Sequence, residues 1–470
     1  MIDALKKLSA LSYCMVTSDL PQIKLPRKPN YVKFKVDGDF FELFETIEPH
    51  FENCFFLESL GEANFDSRYS VIGFSPEMVI RSTAHTLYIN DKEYKTQNPY
   101  YALREIIPQN IISRNYAGGL VGYLGYDAMN FFEPALDIQF HPDFDAFLFG
   151  VYTDGLVYDA MTGETFYFYY HTDRRVEIEN VMKKTRKENK VITKKTGQTK
   201  TENEHKKMVE KAIQQIIEGN TFQCQIGFAT NYEIQGNPLE IYKKLREINP
   251  SPYMFYLKFN DTKMLGASPE LLFQLRQGEM ETFPLAGTTR RGGSSEEDRK
   301  LARILLNDPK EIAEHNMLVD LHRNDIGRVA KFGSVKVRRL MDVKKFSHVQ
   351  HISSEVVGLI KNNEDMFSGL AKVFPAGTLS GAPKIESMKI IDRIENEPRG
   401  PYGGAIGHFG FNGDCAHAIP IRTLFIKGDK AFSRASGGIV YDSTAENEYN
   451  EIIRKSAAMQ QVLDHFMEKK

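Results

Sequence analysis

The sequence predicts an α+β fold with largely antiparallel sheets. Three observations point there. The first 180 or so residues hold short β-branched or aromatic runs bounded by turn residues. The second half alternates strand-like and helix-like segments without a regular βαβ period. And Asn412-Gly413 joins two apolar runs as a tight hairpin. At 470 residues the chain is too long for one ordinary core, so two domains or one large intertwined one are expected.

The opening stretch, MIDALKKLSALSYCMVTSD, is interrupted by Lys and Asp, which suits an amphipathic helix better than a signal peptide. Strands follow at NCFFLES (53–59), RYSVIGFS (68–75), TLYIN (86–90) and TFYFYY (165–170). In YAGGLVGYLGYD (116–127) glycines are spaced through an apolar strand, a sign of close backbone approach or a bulge. Residues 183–204 are rich in Lys, Thr and Asn and almost free of core residues. They read as a solvated linker between a strand-rich region, 1–182, and a second domain, 205–470. Past it, Met208, Ala212 and Ile216 recur at helical spacing, with a stop at Gly219.

Composition narrows the function. The chain is 41% hydrophobic and 26% charged with a formal net charge of -2, a balance that argues against a nucleic-acid binder. The four cysteines (Cys14, Cys54, Cys224 and Cys415) lie far apart with no CxxC spacing, so neither a disulfide framework nor a zinc site is indicated. No apolar run approaches a membrane span, and a cytoplasmic protein is expected.

Two helix starts carry paired carboxylates. Asp308-Pro309 is an N-cap followed by proline at the first helical position. Glu311 stands where it can close a capping box, and Glu314 shares its face. Near the C-terminus Ser443 or Thr444 can cap a helix bearing Glu448 and Glu451 at the same spacing. Brought together, the pairs would make an oxygen-only site for a hard cation such as Mg2+. Taken singly, each is equally what solvation and the helix dipole favour.

Residues 403–440 predict a meander with turns at Asn412-Gly413 and Gly428-Asp429. Within it AIPIRTLFI (418–426) is apolar on both faces, which predicts a strand covered on both sides with Arg422 at its middle. A buried guanidinium requires a carboxylate, from the protein or from a ligand. Gly403, Gly404, Gly407, Gly437 and Gly438 leave backbone N–H groups open to an anion, as does Gly287, with a hydroxyl beside it on Thr288. His351 lies on a strand-like run, either as a core histidine or as an acid or base. Arg290 and Arg291 either steer an anionic ligand or rim its site.

The order PLAGT (284–288), EIAEHNMLVDLHRND (311–325), SHVQHISSEVVG (347–358), PAGTLSGAPK (375–384), RGPYGGAIGHFG (399–410), IPIRTLF (419–425) and SGGIVYDSTAENEYNE (436–451) resembles the chorismate-binding family, and most of all its anthranilate-forming large subunits. The resemblance is strong from about His205 to Met459 and weaker, through FFLES (55–59) and AGGLVGYLGYD (117–127), before that. It implies two packed, largely antiparallel sheets with outer helices and substrate between them. By position it implies Glu314 and Glu451 as magnesium ligands, with Glu311 and Glu448 beside them. Gly287, Thr288, Tyr402, Arg422, Gly437 and Gly438 match positions that hold chorismate, and His351 matches the catalytic histidine. The family's usual Gly-Ala-Gly triplet is here Ser436-Gly437-Gly438.

Two further positions bear on the reaction. Para-aminating relatives often carry a lysine nucleophile where this chain has Ala286, and water-using relatives carry a lysine base where it has Gln223. The resemblance therefore implies that ammonia attacks ortho, giving anthranilate and pyruvate. The chain has no Gly-x-Cys-x-Gly elbow, so ammonia is expected from a partner glutamine amidotransferase subunit in a hetero-oligomer, or from solution. Ser59, Pro252, Tyr253 and Met254 match a feedback site for tryptophan. The competing readings are an aminodeoxychorismate synthase and a non-catalytic amino-acid sensor on the same fold.

Overall fold

Alternating apolar residues build two twelve-stranded sheets in the computed structural model, which describes residues 20–36, 38–60, 68–113, 116–184, 190–345 and 349–468. The helix expected at the N-terminus lies outside the described residues, as does Cys14. The first sheet runs, neighbour to neighbour, through Asn30–Lys33, Glu164–Tyr169, Asp154–Asp159, Tyr69–Phe74, Asn53–Glu58, Tyr253–Phe259, Thr262–Ser268, Thr423–Lys427, Lys430–Ile439, Gln223–Gly236 and Val191–Gln198. The second runs through Leu285–Arg290, Val349–Leu359, Glu279–Thr282, Leu271–Arg276, Cys415–Ala418, Ala405–Gly410, Gly119–Leu124, Phe147–Tyr152, Met78–Ser82, Thr86–Ile89 and Lys92–Lys95. Gly381–Ala382 joins the first off this path and Lys336–Lys345 the second.

The middle of each sheet is the most apolar. Gly119–Leu124 and Phe147–Tyr152 are buried along their whole length. Between them a methyl group on Gly122 would meet the Leu148 carbonyl oxygen at 2.0 Å, so the expected close approach is real and only glycine fits. One continuous core, from Leu20 to Phe425, fills the space around these strands.

Two expectations are corrected. Residues 183–204 are not simply a linker. Val191–Gln198 is an edge strand paired with Gln223–Gly236, and Thr201 caps the Glu202–Ile217 helix in a capping box with Glu204. An edge strand packed on one face needs few apolar residues, and Val191 and Thr193 are buried while their neighbours face solvent. Nor does this segment divide the sheets: Asn53–Glu58 pairs with Tyr253–Phe259, and Gly119–Leu124 with Ala405–Gly410.

The second correction concerns 418–426. The hairpins form at both expected turns, but no single strand runs through Arg422. Cys415–Ala418 belongs to the second sheet and Thr423–Lys427 to the first. The chain crosses between them at Ile419–Arg422, where Pro420 lacks the N–H a ladder needs and Arg422 takes a left-handed φ of 52°.

Candidate active site

Both carboxylate pairs stand at helix starts, as expected. The Pro309–Val329 helix is capped by Asp308, which accepts from the Lys310 N–H at 2.9 Å and the Glu311 N–H at 3.4 Å. Glu311 does not close a capping box. Its carboxylate lies against Gly287 instead, where a methyl group would meet its Oε2 at 3.0 Å. The Ala445–Asp464 helix is capped by Thr444, while Ser443 Oγ donates to Glu448 Oε1 at 2.7 Å. Glu448 Oε2 sits against Gly437 and is buried with no hydrogen-bond partner among the described residues.

These helices pack against Leu285–Arg290 and Lys430–Ile439 respectively, one on each sheet, and the two carboxylate sets come within electrostatic reach of each other. Burial first, then the charges of Glu311 and Glu451, hold the Glu314 carboxyl above the usual range. Glu311 and Glu448 are raised by burial, and the Glu451 charge adds to both. Glu451 itself pairs with Lys455 at 2.7 Å. Neighbouring carboxylates that raise one another, and a buried carboxylate oxygen with no hydrogen-bond partner among the described residues, suit a hard cation bound through oxygen. Among the described residues, no three His, Cys, Asp or Glu side chains form a ready cage. Magnesium, which keeps waters and takes substrate oxygens, does not require one.

A second group lies at the crossover. Arg422 is partly buried and makes no ion pair among the described residues; burial lowers its pKa and the nearby charge of Glu270 opposes this. Glu270 is buried between Thr262–Ser268 and Leu271–Arg276, where burial pushes its carboxyl up to about 7 against the pull of Thr378, Lys455 and Arg422. Thr378 Oγ1 donates to it at 2.9 Å, and the Ile419 N–H ties the crossover to the Glu270 carbonyl at 3.1 Å. His351 lies opposite Thr288 in the ladder, and its Nδ1–H donates to the Gly287 carbonyl at 3.1 Å. That assigns the lone pair to Nε2. Burial, with Arg422 and Lys455 nearby, lowers its pKa to about 4.

Gln223 opens the Gln223–Gly236 strand beside Gly438, and its Oε1 is buried with no partner among the described residues. Tyr402 is buried with its hydroxyl 2.8 Å from Ser436 Oγ. These approaches bring Gly287, Glu311, Glu314, His351 and Arg422 near Gly437, Glu448 and Glu451, with Thr288 next to Gly287, Gln223 against Gly438 and Tyr402 on Ser436. Glu270, Thr378 and Lys455 were missed by sequence reasoning. The one available signal was an acid after Pro269 between two mostly apolar runs, MLGA and LLF. Arg290 and Arg291 both pair with the next helix, Arg290 at the surface with Glu297 at 2.6 Å and Arg291 with Asp298 at 2.8 Å. With Arg291 and the Gly292 N–H beside it, Asp298 is held down at about 2.

Ser59, Pro252, Tyr253 and Met254 lie apart from this group, lining a cavity of about 230 Å³ between the sheets. Ser59 Oγ is buried there with no hydrogen-bond partner among the described residues. His408 and His417, which the sequence did not single out, line the opposite wall. The cavity's Leu271 and Ala418 directly adjoin Glu270 and the crossover.

Fold and site together are those of an enzyme that seats a small organic anion between two sheets. Residues 52–461 match the model of the chorismate binding enzyme family, and the chain belongs to that family. A protein named anthranilate synthase component 1 from Leptospira biflexa is 58% identical over 459 residues, covering 96% of this chain and 99% of its own length. One of the same name from Methanothermobacter thermautotrophicus is 40% identical over 92% of this chain and 93% of its own. The crystal structure of anthranilate synthase component I from Streptococcus pneumoniae is similar at a TM-score of 0.76 and 34% identity, covering 84% of this chain and 93% of its own. The menaquinone-specific isochorismate synthase of Escherichia coli, at 17% identity and a TM-score of 0.72, shares the fold.

Proposed function

We propose that this chain is the chorismate-aminating subunit of an anthranilate synthase, converting chorismate and ammonia to anthranilate and pyruvate for tryptophan synthesis. The observation that carries the reading is the meeting of the two carboxylate pairs with Arg422 and Glu270, in a chain 58% identical to a protein named for that activity. Glu314 and Glu451, with Glu311 and Glu448 beside them, would hold Mg2+, which supplies positive charge for the ring carboxylate.

The chain's own groups account for the rest. Arg422 and the backbone of Gly437-Gly438 hold the enolpyruvyl carboxylate, with Gly287, Thr288 and Tyr402 completing the seat. The Gln223 Oε1, lacking a protein donor, accepts from ammonia and orients its lone pair toward the ring. As the carbon–nitrogen bond forms ortho to the carboxylate, the ring hydroxyl departs as water, taking its proton from Glu270. A carboxyl with a pKa of about 7 is suited to that transfer. His351, neutral at working pH, then accepts the ring proton at Nε2 as the enolpyruvyl oxygen leaves and pyruvate forms. Ala286 is too short and inert to attack the ring.

Ammonia comes from a glutamine amidotransferase partner. Cys54, Cys224 and Cys415 are buried, and burial pushes each thiol well up, with Cys224 at about 12; none is a nucleophile for glutamine. Tryptophan occupies the cavity at Ser59, Pro252, Tyr253 and Met254 and inhibits. The test is to give the chain alone chorismate, ammonium and Mg2+ and follow anthranilate fluorescence. Formation that stops with EDTA and with Glu314→Ala supports the reading, and formation indifferent to both removes the metal site from it.

A further inference from the structure

Ser436 stands where the family resemblance leads one to expect glycine, and nothing above uses its hydroxyl. It is buried, 3% exposed, between two other buried polar side chains, Tyr402 at 2% and Gln225 at 6%. Ser436 Oγ donates to Gln225 Oε1 at 3.1 Å. A serine hydroxyl has one proton, so the 2.8 Å contact with Tyr402 must run the other way, with the Tyr402 hydroxyl donating to Ser436. The chain of hydrogen bonds therefore has a direction, from Tyr402 through Ser436 to the Gln225 carbonyl oxygen.

That direction fixes the Gln225 amide. With its oxygen held by Ser436, its NH2 group must face the other way. There it lies over Gly438, where a methyl group would meet Gln225 Nε2 at 2.9 Å and Gln223 Nε2 at 2.7 Å. Gln225 pairs with Gly438 across the ladder, and Gln223 and Gln225 share one face of their strand. Two amide groups thus stand over a glycine whose missing side chain leaves room for a ligand atom, one of them with a locked donor. The main chain of Ser436 is pinned as well, since Lys455 Nζ donates to its carbonyl at 2.9 Å.

We propose that Gln225 is a further substrate-binding residue, donating from Nε2 to a carboxylate seated over Gly437-Gly438, and that Ser436 is a positioning residue that acts through it. The inference rests on the reading above that a substrate carboxylate lies at this glycine pair. The hydrogen bond is made in the ground state as well as later, so it governs binding more than turnover.

The test is the chorismate KM and kcat of the ammonia-dependent reaction for Gln225→Glu, Ser436→Ala, Ser436→Thr and the Gln225→Glu/Ser436→Ala double variant, each with its melting temperature. A hydrogen bond to a charged group predicts a KM raised about tenfold or more by Gln225→Glu with kcat within about threefold. Ser436→Ala raises KM about fivefold, and Ser436→Thr, which keeps the hydroxyl, returns it to near the wild-type value. In the Gln225→Glu background Ser436→Ala adds nothing further. Should Gln225→Glu fail to fold, Gln225→Met, which also lacks a donor, takes its place. A wild-type KM in Ser436→Ala and the Gln225 variant, with only the melting temperature lowered, overturns the inference and leaves the reaction assignment intact. So does full additivity in the double variant. Failure of the wild-type chain to form anthranilate overturns the assignment itself, and this inference with it.

Discussion

At the scale of single residues, environment rather than identity sets the chemistry. Glu270 is an ordinary glutamate in sequence, yet burial raises it to about 7. A carboxyl raised in this way is protonated below that pH and loses its proton as pH rises through it. Turnover per free ammonia should therefore fall as pH rises through about 7, and Glu270→Gln, which cannot transfer a proton, should lower kcat by roughly 10²- to 10⁴-fold. An unchanged kcat in that variant would remove Glu270 from the reaction. His351 is displaced in the opposite sense, to about 4, and should be neutral at pH 6 with its proton on Nδ1. Nitrogen chemical shifts of the imidazole report this directly, and an imidazolium signal at pH 6 would contradict it. Sequence reasoning reached His351 because its strand and neighbours were legible, but it missed Glu270. One acid between apolar runs carries no spacing pattern, and only folding shows that Arg422, Thr378 and Lys455 converge on it.

At the scale of elements, the helix starts were the most legible part of the chain. Asp308-Pro309 and Thr444 are local signals, and local physics decides caps. The edge strand at Val191–Gln198 was illegible for the opposite reason, since its place depends on a distant partner strand and one buried face. Residues 418–426 fall between the two cases. Their apolar pattern describes their burial correctly, but the same pattern fits a strand that stays in one sheet and a segment that changes sheets. The crossover leaves Arg422 at a left-handed φ and without a carboxylate in ion-pairing range among the described residues. Arg422→Met should raise the melting temperature of the ligand-free chain, because it removes a partly buried charge that lacks an ion pair. The same variant should raise the chorismate KM about 10- to 100-fold, the worth of a charge-assisted hydrogen bond. A lower melting temperature with unchanged KM would mean that the guanidinium serves the fold.

At the scale of the whole molecule, segments from both sides of residues 183–204 interleave in each sheet, so the cavity at Ser59 is built from both parts of the chain. Leu271 and Ala418 line the cavity; Glu270 directly precedes the first, and the Ile419–Arg422 crossover directly follows the second. Ser59→Phe, which fills the cavity, should abolish inhibition by tryptophan while the uninhibited rate stays within about twofold, the expected result where inhibitor and substrate sites are separate. Retained inhibition would place the tryptophan site elsewhere. In the proposed reaction Ala286 cannot attack and Gln223 cannot act as a base, so it is ammonia that adds, ortho to the ring carboxylate. The most direct test of this is to supply ¹⁵N-ammonium with chorismate and Mg2+ and identify every product by mass and nitrogen coupling. The account predicts ¹⁵N-labelled 2-aminobenzoate with one pyruvate per molecule formed. Nitrogen appearing para to the carboxylate, or an unlabelled isochorismate, would contradict it.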